Sequence, residues 1–248
     1  MKFDSNTIKN ELIDWIKKYF EENGPTSKAV ISISGGKDST TVAKLCVEAL
    51  GKDRVVGVLI PNGYQHDIDV ARKVVEYLDI EHYEINIKQV YTELLWLMYD
   101  KVSPTIEENK VFTSNTPARI RMTVLYGISA IIGGRVANTC NLSEDYVGYA
   151  TKYGDAAGDF SPLSNLTVQE VKAVAYSLGI PKEFIEKTPE DGLCGVSDEE
   201  NLGFTYDVLD RYIRTGICED LDVKEKIDKM HLAGLHKITP MPSYKPNI

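Results

Sequence analysis

The stretch SGGKDS at positions 34–39 has the residue types that bind phosphate, and it lies between an apolar run ending at Ile33 and a helical pattern. Paired glycines permit close backbone approach, and the amides that open a helix attract an anion. The stretch does not fit the Walker loop, in which Gly-Lys precedes Ser or Thr, because Lys37 is followed by Asp38. A carboxylate repels a bare phosphate, so Asp38 indicates a bridging Mg²⁺. The alternative is an ordinary strand-to-helix turn capped by Asp38 and Ser39.

The composition limits the class of protein. The chain has 248 residues, a net charge of -9 and a pI near 5.1, which disfavours a general nucleic-acid binder. No apolar run approaches the roughly 18 residues of a membrane span, and the charged N-terminus lacks the apolar centre of a signal peptide. The four cysteines form no C-x-x-C pair, which favours reduced thiols. We therefore expect a cytoplasmic protein without a membrane or nucleic-acid partner.

Alternating strand and helix patterns predict the elements that must position the phosphate-binding stretch. Short runs rich in Val and Ile suit strands of a parallel sheet, and amphipathic segments between them suit crossover helices. The predicted fold class is therefore α/β, with a doubly wound, mainly parallel sheet and helices on both faces. Strands are predicted over 28–34, 54–61, 81–87 and 135–139, and helices over 5–21, 38–50, 67–80, 88–99, 114–134, 167–180, 205–216 and 223–237.

Capping residues predict where two of these helices begin. Ser5 or Asn6 is the expected cap of the first helix. Ser114 or Asn115, followed by Pro117, is the expected start of the long apolar helix.

Two polar segments, 145–165 and 188–203, are long for loops of an α/β domain, which indicates covers of an active site. Thr167 and Glu170 fit a capping box at the start of the helix that follows the first segment.

The SGGKDS stretch resembles the signature of the PP-loop, or N-type, ATP pyrophosphatases. Enzymes of this superfamily cleave ATP between its α and β phosphates, transfer AMP to an acceptor oxygen and hold pyrophosphate in the loop. The resemblance implies an adenine nucleotide alpha hydrolase-like fold. On this stretch alone the acceptor stays open, because GMP, asparagine and argininosuccinate synthetases and tRNA-modifying enzymes share the signature.

Further blocks resemble the ammonia-dependent NAD synthetases. They lie in the family's order over nearly the whole chain: NTPARIRM at 115–122, NTCNLSE at 138–144, TKYGDAAGDFSPLSNLT at 151–167, PEDGLCGVSDEENLGFTYDVLDRYI at 189–213, and a His-Lys pair at 236–237. These blocks select the acceptor that the loop leaves open.

The resemblance implies a reaction, the last step of NAD biosynthesis. ATP adenylates the nicotinate carboxylate of deamido-NAD, and ammonia then displaces AMP, which gives NAD with pyrophosphate as coproduct. The implied partners are ATP, deamido-NAD, ammonia and a second copy of the chain, with Mg²⁺ as cofactor. The motifs fill the chain, so we expect one domain over 1–248, no glutaminase domain, and free ammonia as the nitrogen donor.

The same resemblance assigns candidate site residues. Asp38 and Glu144 match the metal ligands, and Asp155 is the candidate proton acceptor during attack by ammonia. The candidate deamido-NAD residues are Arg119, Lys152, Asp159, His236 and Lys237, with Arg121 a weaker candidate. The candidate ATP-binding residues are Ser32, Ile33, Ser34, Gly35, Gly36, Lys37, Asp38, Ser39, Thr139 and Glu190.

Two departures from the family pattern affect the ATP site. Val168 stands where the family often has a lysine, so Lys37 or Lys172 would have to compensate, and Glu190 replaces a Ser or Thr. Two other hypotheses remain: a tRNA-modifying enzyme with the same loop, and a nucleotide-binding module without turnover. The acidic charge and scattered cysteines disfavour the first, and the two metal carboxylates disfavour the second.

Overall fold

The computed structural model describes residues 3–65, 67–187 and 198–246. Four parallel strands form one sheet in the order β3-β2-β1-β4. These are β1 (Ala29–Ser32), β2 (Val55–Leu59), β3 (Glu81–Glu84) and β4 (Arg135–Val136). Because β4 pairs with β1 on the side opposite β2, the winding direction reverses between β1 and β4. The predicted parallel, doubly wound sheet is confirmed.

Helices connect and cover the strands, and every helix predicted from the sequence is present. The α-helices are α1 (Ser5–Asn23), α2 (Lys37–Leu50), α3 (Ile68–Leu78), α4 (Lys88–Lys101), α5 (Lys110–Ile132), α6 (Leu142–Tyr146), α7 (Val168–Ser177), α8 (Lys182–Ile185), α9 (Asp198–Leu202), α10 (Tyr206–Thr215) and α11 (Leu221–Ile238). Short 3₁₀ turns span Lys52–Arg54 and Ile106–Glu108.

The predicted helix over 5–21 begins at the observed start of α1, but its predicted capping residue was wrong. Asp4 caps the helix, and its carboxylate accepts a hydrogen bond from the Thr7 amide at 3.2 Å. Ser5 and Asn6 lie inside the first turn.

The predicted start of α5 was also wrong. Asn109 caps it and accepts from the Phe112 amide at 3.0 Å, so Pro117 lies inside the helix. The extra turn is stabilised by packing of Phe112 against Tyr91 of α4, with ring centroids 6.5 Å apart.

The polar segment 145–165 begins inside α6, so its first two residues are helical rather than loop. The Thr167 amide donates to the Glu170 carboxylate at 2.8 Å, which confirms the predicted cap of α7. Residues 188–197 of the second polar segment lie outside the described residues, and residues 198–202 form α9.

Alternating side chains of the strands build a core on each face of the sheet. Ile31 and Leu59 face one cluster, which α1, α2, α3 and α7 complete. Val30 and Val58 face a second cluster against α5. A third cluster joins α6, α7, α10 and α11 around Leu209 and packs beside the carboxyl end of the sheet. None of the described helices is both long and apolar enough to span a bilayer.

Candidate active site

A cavity of about 570 Å³ lies at the carboxyl ends of β1, β2 and β4. α/β sheets bind ligands at the point where the winding direction reverses, and the cavity lies at that point. Its walls come from the 34–39 stretch, from α5 and from the segment that follows β4, with one side chain from α11. The fold therefore brings distant blocks of sequence to one site.

The 34–39 stretch forms the turn that the sequence predicts. Gly35 has a φ of +82°, and a Cβ there would lie 2.9 Å from the Ala71 amide nitrogen, so a larger residue does not fit. The Ser34 and Ser39 hydroxyl oxygens are 3.1 Å apart, and the Gly36 amide donates to Ser34 Oγ at 3.2 Å. α2 begins directly after Gly36, so its first-turn amides and its dipole favour an anion here.

Asp38 and Glu144 are linked through Asn141. The Asn141 side-chain amide donates to Asp38 Oδ1 at 3.2 Å, and its backbone amide donates to Glu144 Oε2 at 3.3 Å. Asp38 Oδ2 also accepts from Lys37 Nζ at 2.8 Å, and the Lys37 side chain is only 3% exposed. Asp198 lines the same cavity and acts electrostatically on Lys37 and Glu144, so four charged groups share this corner.

The electrostatics of this corner fit a divalent cation. Burial and the charge of Asp38 raise the pKa of Glu144 well above its ordinary value. Burial alone lowers the pKa of Lys37, but Asp38 and Glu144 outweigh it and hold the pKa above its ordinary value. Carboxylate oxygens are the donors that Mg²⁺ prefers. Among the described residues no third acidic, His or Cys side chain is grouped with the pair closely enough to hold a metal ion. A cation held by Asp38 and Glu144 would take its other ligands from phosphate oxygens and water.

The two candidate arginines occupy different positions. Arg121 lines the cavity, and its Nε donates to the carbonyl oxygen of Ile60 at 2.9 Å. Arg119 is exposed and outside the cavity wall, where its Nε donates to the Lys152 carbonyl at 3.2 Å. Residues two apart on a helix point to different faces, so the two side chains cannot share one role.

Asp155 lines the cavity beside Arg121. The Thr151 amide donates to Asp155 Oδ1 at 3.0 Å, and the Asn138 side chain donates to the Asp155 carbonyl at 2.8 Å. Burial raises the pKa of Asp155 above its ordinary value, although the Thr151 hydrogen bond opposes it. A carboxylate of raised pKa, fixed in a cavity, suits proton transfer.

The end of α11 brings the His-Lys pair to the rim of the cavity. Lys237 lines the cavity and donates from Nζ to the Gly148 carbonyl at 2.6 Å. Lys152 donates from Nζ to the His236 carbonyl, so these two residues meet just outside the cavity wall.

Asp159 lies away from the cavity and supports β4. Its Oδ2 accepts from the Val136 amide at 2.7 Å, and its Oδ1 accepts from the Tyr126 hydroxyl at 3.2 Å. In this chain its contacts are structural, whereas the resemblance implies substrate binding.

The remaining residues predicted for the ATP site have different positions in the structure. Thr139 lines the cavity, whereas Glu190 lies outside the described residues. Val168 is 2% exposed and packs in the third core cluster. Lys172 pairs with Glu186 at 3.1 Å away from the cavity, so of the two candidate cations only Lys37 lines it.

Sequence reasoning missed a further charged pair in the cavity. Lys187 forms a salt bridge with Asp67, which also accepts from the Gln65 side chain at 2.9 Å. Gln65 and Asp67 follow β2, the strand next to β1, and this position at the carboxyl edge was the available signal.

Fold and site together define an adenine nucleotide alpha hydrolase-like enzyme with an anion-binding loop and two partly buried carboxylates. The sequence model of the NAD synthase family matches residues 8–245. The chain belongs to this family. The NH₃-dependent NAD⁺ synthetase of Methanocaldococcus jannaschii is 40% identical over 210 residues, which is 82% of this chain and 80% of that protein.

Solved structures of the family match the whole fold. The NMN synthetase of Francisella tularensis superposes with a TM-score of 0.88 at 31% identity and covers 100% of both chains. The NH₃-dependent NAD synthetase of Campylobacter jejuni, solved with a nitrate ion, has a TM-score of 0.77 at 26% identity and covers 99% of this chain and 100% of its own. The predicted family and fold class are thus confirmed.

Proposed function

We propose that this chain is a ligase that amidates deamido-NAD with ammonia at the expense of ATP, giving NAD, AMP and pyrophosphate. The observation that carries the proposal is the joint presence, in one cavity, of the 34–39 turn, the Asp38 and Glu144 carboxylates, and Asp155. The turn and the two carboxylates supply the groups that transfer of AMP from ATP needs, and Asp155 supplies a proton acceptor.

In the first step a carboxylate of the substrate attacks the α phosphate of ATP, and pyrophosphate leaves. The turn amides and Lys37 bind the phosphates, and Ser34 and Ser39 fix the shape of the turn. Asp38 and Glu144 would hold Mg²⁺, which screens the repulsion between the two anions and the charge of the departing pyrophosphate.

In the second step ammonia attacks the acyl adenylate and AMP leaves. Asp155 accepts the proton that the attacking nitrogen loses, because desolvation in the cavity raises its pKa above the ordinary value of aspartate and makes it a stronger base. We assign the phosphates of the substrate to the basic residues at the cavity rim, which are Lys237, Lys152 and His236, with Arg119 beside them.

A second candidate substrate is nicotinate mononucleotide, whose amidation gives NMN. The observation that favours it is the full-length match to the F. tularensis NMN synthetase, with a TM-score of 0.88 against 0.77 for the C. jejuni NAD synthetase. Both substrates carry the same nicotinate carboxylate, so the chemistry within the cavity is identical.

We further propose that the chain works as a cytoplasmic homodimer. Large apolar side chains stay exposed on α4 and α5, including Trp96 at 56%, Leu97 at 63% and Ile131 at 85% exposure, and a second copy would cover them. The described cysteines, Cys46, Cys140 and Cys218, are free thiols, in keeping with a reducing compartment, and Cys194 lies outside the described residues.

One assay tests the proposed reaction, the two candidate substrates and the nitrogen donor together. Purified protein with ATP and Mg²⁺ receives deamido-NAD or nicotinate mononucleotide, each with ammonium or with glutamine. NAD is measured by coupling to alcohol dehydrogenase, and NMN by chromatography. We expect NAD with ammonium and none with glutamine. A higher kcat/KM for the mononucleotide would select the second candidate, and no product in any mixture would refute both.

A further inference from the structure

Arg121 of α5 has an unused hydrogen-bonding edge in the cavity. A guanidinium carries five N–H donors in a planar fork. Its Nε donates to the Ile60 carbonyl, and within the described part of the chain this is the one hydrogen bond that Arg121 makes. The hydrogen bond to Ile60 fixes the side chain and leaves both terminal amino groups for a ligand.

Arg121 also differs from the other cations of the cavity. Lys37 and Lys187 each form a salt bridge with a cavity carboxylate, and Lys237 donates to a backbone carbonyl. Arg121 forms no salt bridge with a carboxylate of the described residues, although the charge of Asp155 acts on it.

Partial burial makes this arrangement costly without a ligand. Burial lowers the pKa of Arg121, and Asp155 opposes that shift, so the group stays charged. A charge taken out of water without a hydrogen-bonded counter-ion is unfavourable, and a bound anion offsets that cost.

The groups near Arg121 indicate which anion it binds. The phosphates of ATP belong to the 34–39 turn, which follows β1, whereas Arg121 is fixed to the residue after β2 and lies within electrostatic reach of Asp155. Under the proposed mechanism Asp155 must lie next to the acyl carbon. A planar carboxylate matches the planar fork of an arginine with two parallel hydrogen bonds.

We propose that Arg121 binds the nicotinate carboxylate before adenylation and the same oxygen, as an oxyanion, when ammonia attacks. The inference rests on the proposed amidation. In the first step a carboxylate oxygen bonds to the α phosphorus while the bond to pyrophosphate breaks. In the second step ammonia nitrogen bonds to the acyl carbon, the carbon–oxygen bond to AMP breaks, and one proton passes to Asp155. Arg121 stabilises the charge on the other oxygen in both steps.

The test compares Arg121→Gln and Arg121→Lys with the matched control Arg72→Gln. Arg72 is a surface arginine whose carboxylate partners lie outside the cavity. For each variant we measure kcat, the KM of ATP, and the exchange of labelled pyrophosphate into ATP that depends on the pyridine substrate without ammonia. Near-ultraviolet circular dichroism checks the fold.

For Arg121→Gln we expect kcat and the exchange rate to fall about 10²- to 10³-fold, as for loss of an oxyanion donor. The KM of ATP should change less than about threefold, because the lost contact is not to the phosphates. Arg121→Lys should recover part of the rate and remain at least about tenfold below the unsubstituted chain, since lysine lacks the fork. Arg72→Gln should match the unsubstituted chain.

A folded Arg121→Gln with kcat within about twofold of the unsubstituted chain overturns the proposal. So does a raised KM of ATP with unchanged kcat, which would assign the arginine to phosphate binding. If Arg121→Gln does not fold, Arg121→Lys decides by the same criteria. If the unsubstituted chain forms no amide, the amidation itself fails, and that outcome is distinct from an active enzyme that tolerates loss of Arg121.

Discussion

Gly148 and Gly234 lie in direct backbone contact. A Cβ added to Gly148 would lie 2.6 Å from the Cα of Gly234, and one added to Gly234 would lie 2.7 Å from the Cα of Gly148. This contact lets α11 pack against the turn after α6. It also lets Lys237 Nζ lie 2.6 Å from the carbonyl oxygen of Gly148. The position of the cavity rim therefore depends on the absence of two side chains.

Gly148→Ala should displace α11 and impair substrate binding. The matched control is Gly216→Ala, because Gly216 also has a positive φ, +71° against +63°, but a Cβ there meets nothing within 4 Å. Both variants should lose about 1–2 kcal/mol of unfolding free energy from backbone strain. The Gly148 variant alone should raise the KM of the pyridine substrate, by about tenfold for a loss of about 1.4 kcal/mol of binding. Equal KM values in the two variants would contradict this role.

Asp38→Asn and Glu144→Gln should each weaken the use of Mg²⁺. Each removes one of the two carboxylates that meet at Asn141, so the Mg²⁺ concentration for half-maximal rate should rise and kcat should fall about 10²-fold or more. Asp14→Asn is the control, because Asp14 is an exposed acid of α1. Rates measured across a Mg²⁺ titration check this, and unchanged titration curves for both variants would remove the assigned metal site.

Asp155→Asn should lower the rate of the ammonia step and change its pH dependence. Burial raises the pKa of Asp155, so the basic form is lost as the pH falls through a value above the ordinary range of aspartate. For the unsubstituted chain, kcat at saturating ammonia should decline as the pH falls through this value. The variant should lack this decline. Pyrophosphate exchange without ammonia should stay near normal. A variant with the normal pH profile and rate would exclude Asp155 as the proton acceptor.

Asp210 stabilises the junction of three helices beside the site. It accepts from the Gln169 amide at 2.9 Å and from the Ser143 hydroxyl at 2.5 Å. Asp210→Ala leaves these buried donors unpaired, so unfolding free energy from urea titration should fall by about 2–4 kcal/mol. Asp14→Ala, at an exposed position of α1 outside this network, should stay within about 0.5 kcal/mol. Equal losses would show that the network contributes nothing specific.

The same residue predicts the sign of a pH effect. Burial raises the pKa of Asp210, so the folded protein holds this proton more tightly than the unfolded chain. Stability contributed by the protonated form is present below the unfolded pKa and is lost as the pH rises toward the folded pKa. The unfolding free energy of the unsubstituted chain, relative to that of Asp210→Asn, should therefore fall as the pH is raised from about 4 to 7. A relative unfolding free energy that rises over this range would contradict the assignment.

Periodic patterns predicted amphipathic helices such as α3, because one face of that helix is buried. The strand β2 was predicted from its continuous apolar run, because it is buried on both faces. Helix starts were less predictable. Ser114, Asn115 and Pro117 form a strong local signal, yet Asn109 begins α5 because packing of the extra turn outweighs it.

Sequence reasoning was limited in the same way at the candidate site, where tertiary packing decides which residues meet. Glu144 and Thr139 were identified through sequence blocks that stay contiguous in the fold, and both line the cavity. The roles of Arg119 and Arg121 depend on which face of α5 packs on the sheet, and residue type cannot decide that. The pairing of Lys187 with Asp67 joins residues 120 positions apart and leaves no local pattern.

The central claim is that this cavity joins ammonia to a nicotinate carboxylate through an adenylate. The most direct measurement follows isotopically labelled ammonium in a reaction with ATP, Mg²⁺ and deamido-NAD, with all products quantified by mass spectrometry. The account predicts label in the carboxamide of NAD, with AMP and pyrophosphate formed in equal amounts to it. Formation of ADP and phosphate, or the absence of labelled amide from both deamido-NAD and nicotinate mononucleotide, would contradict it.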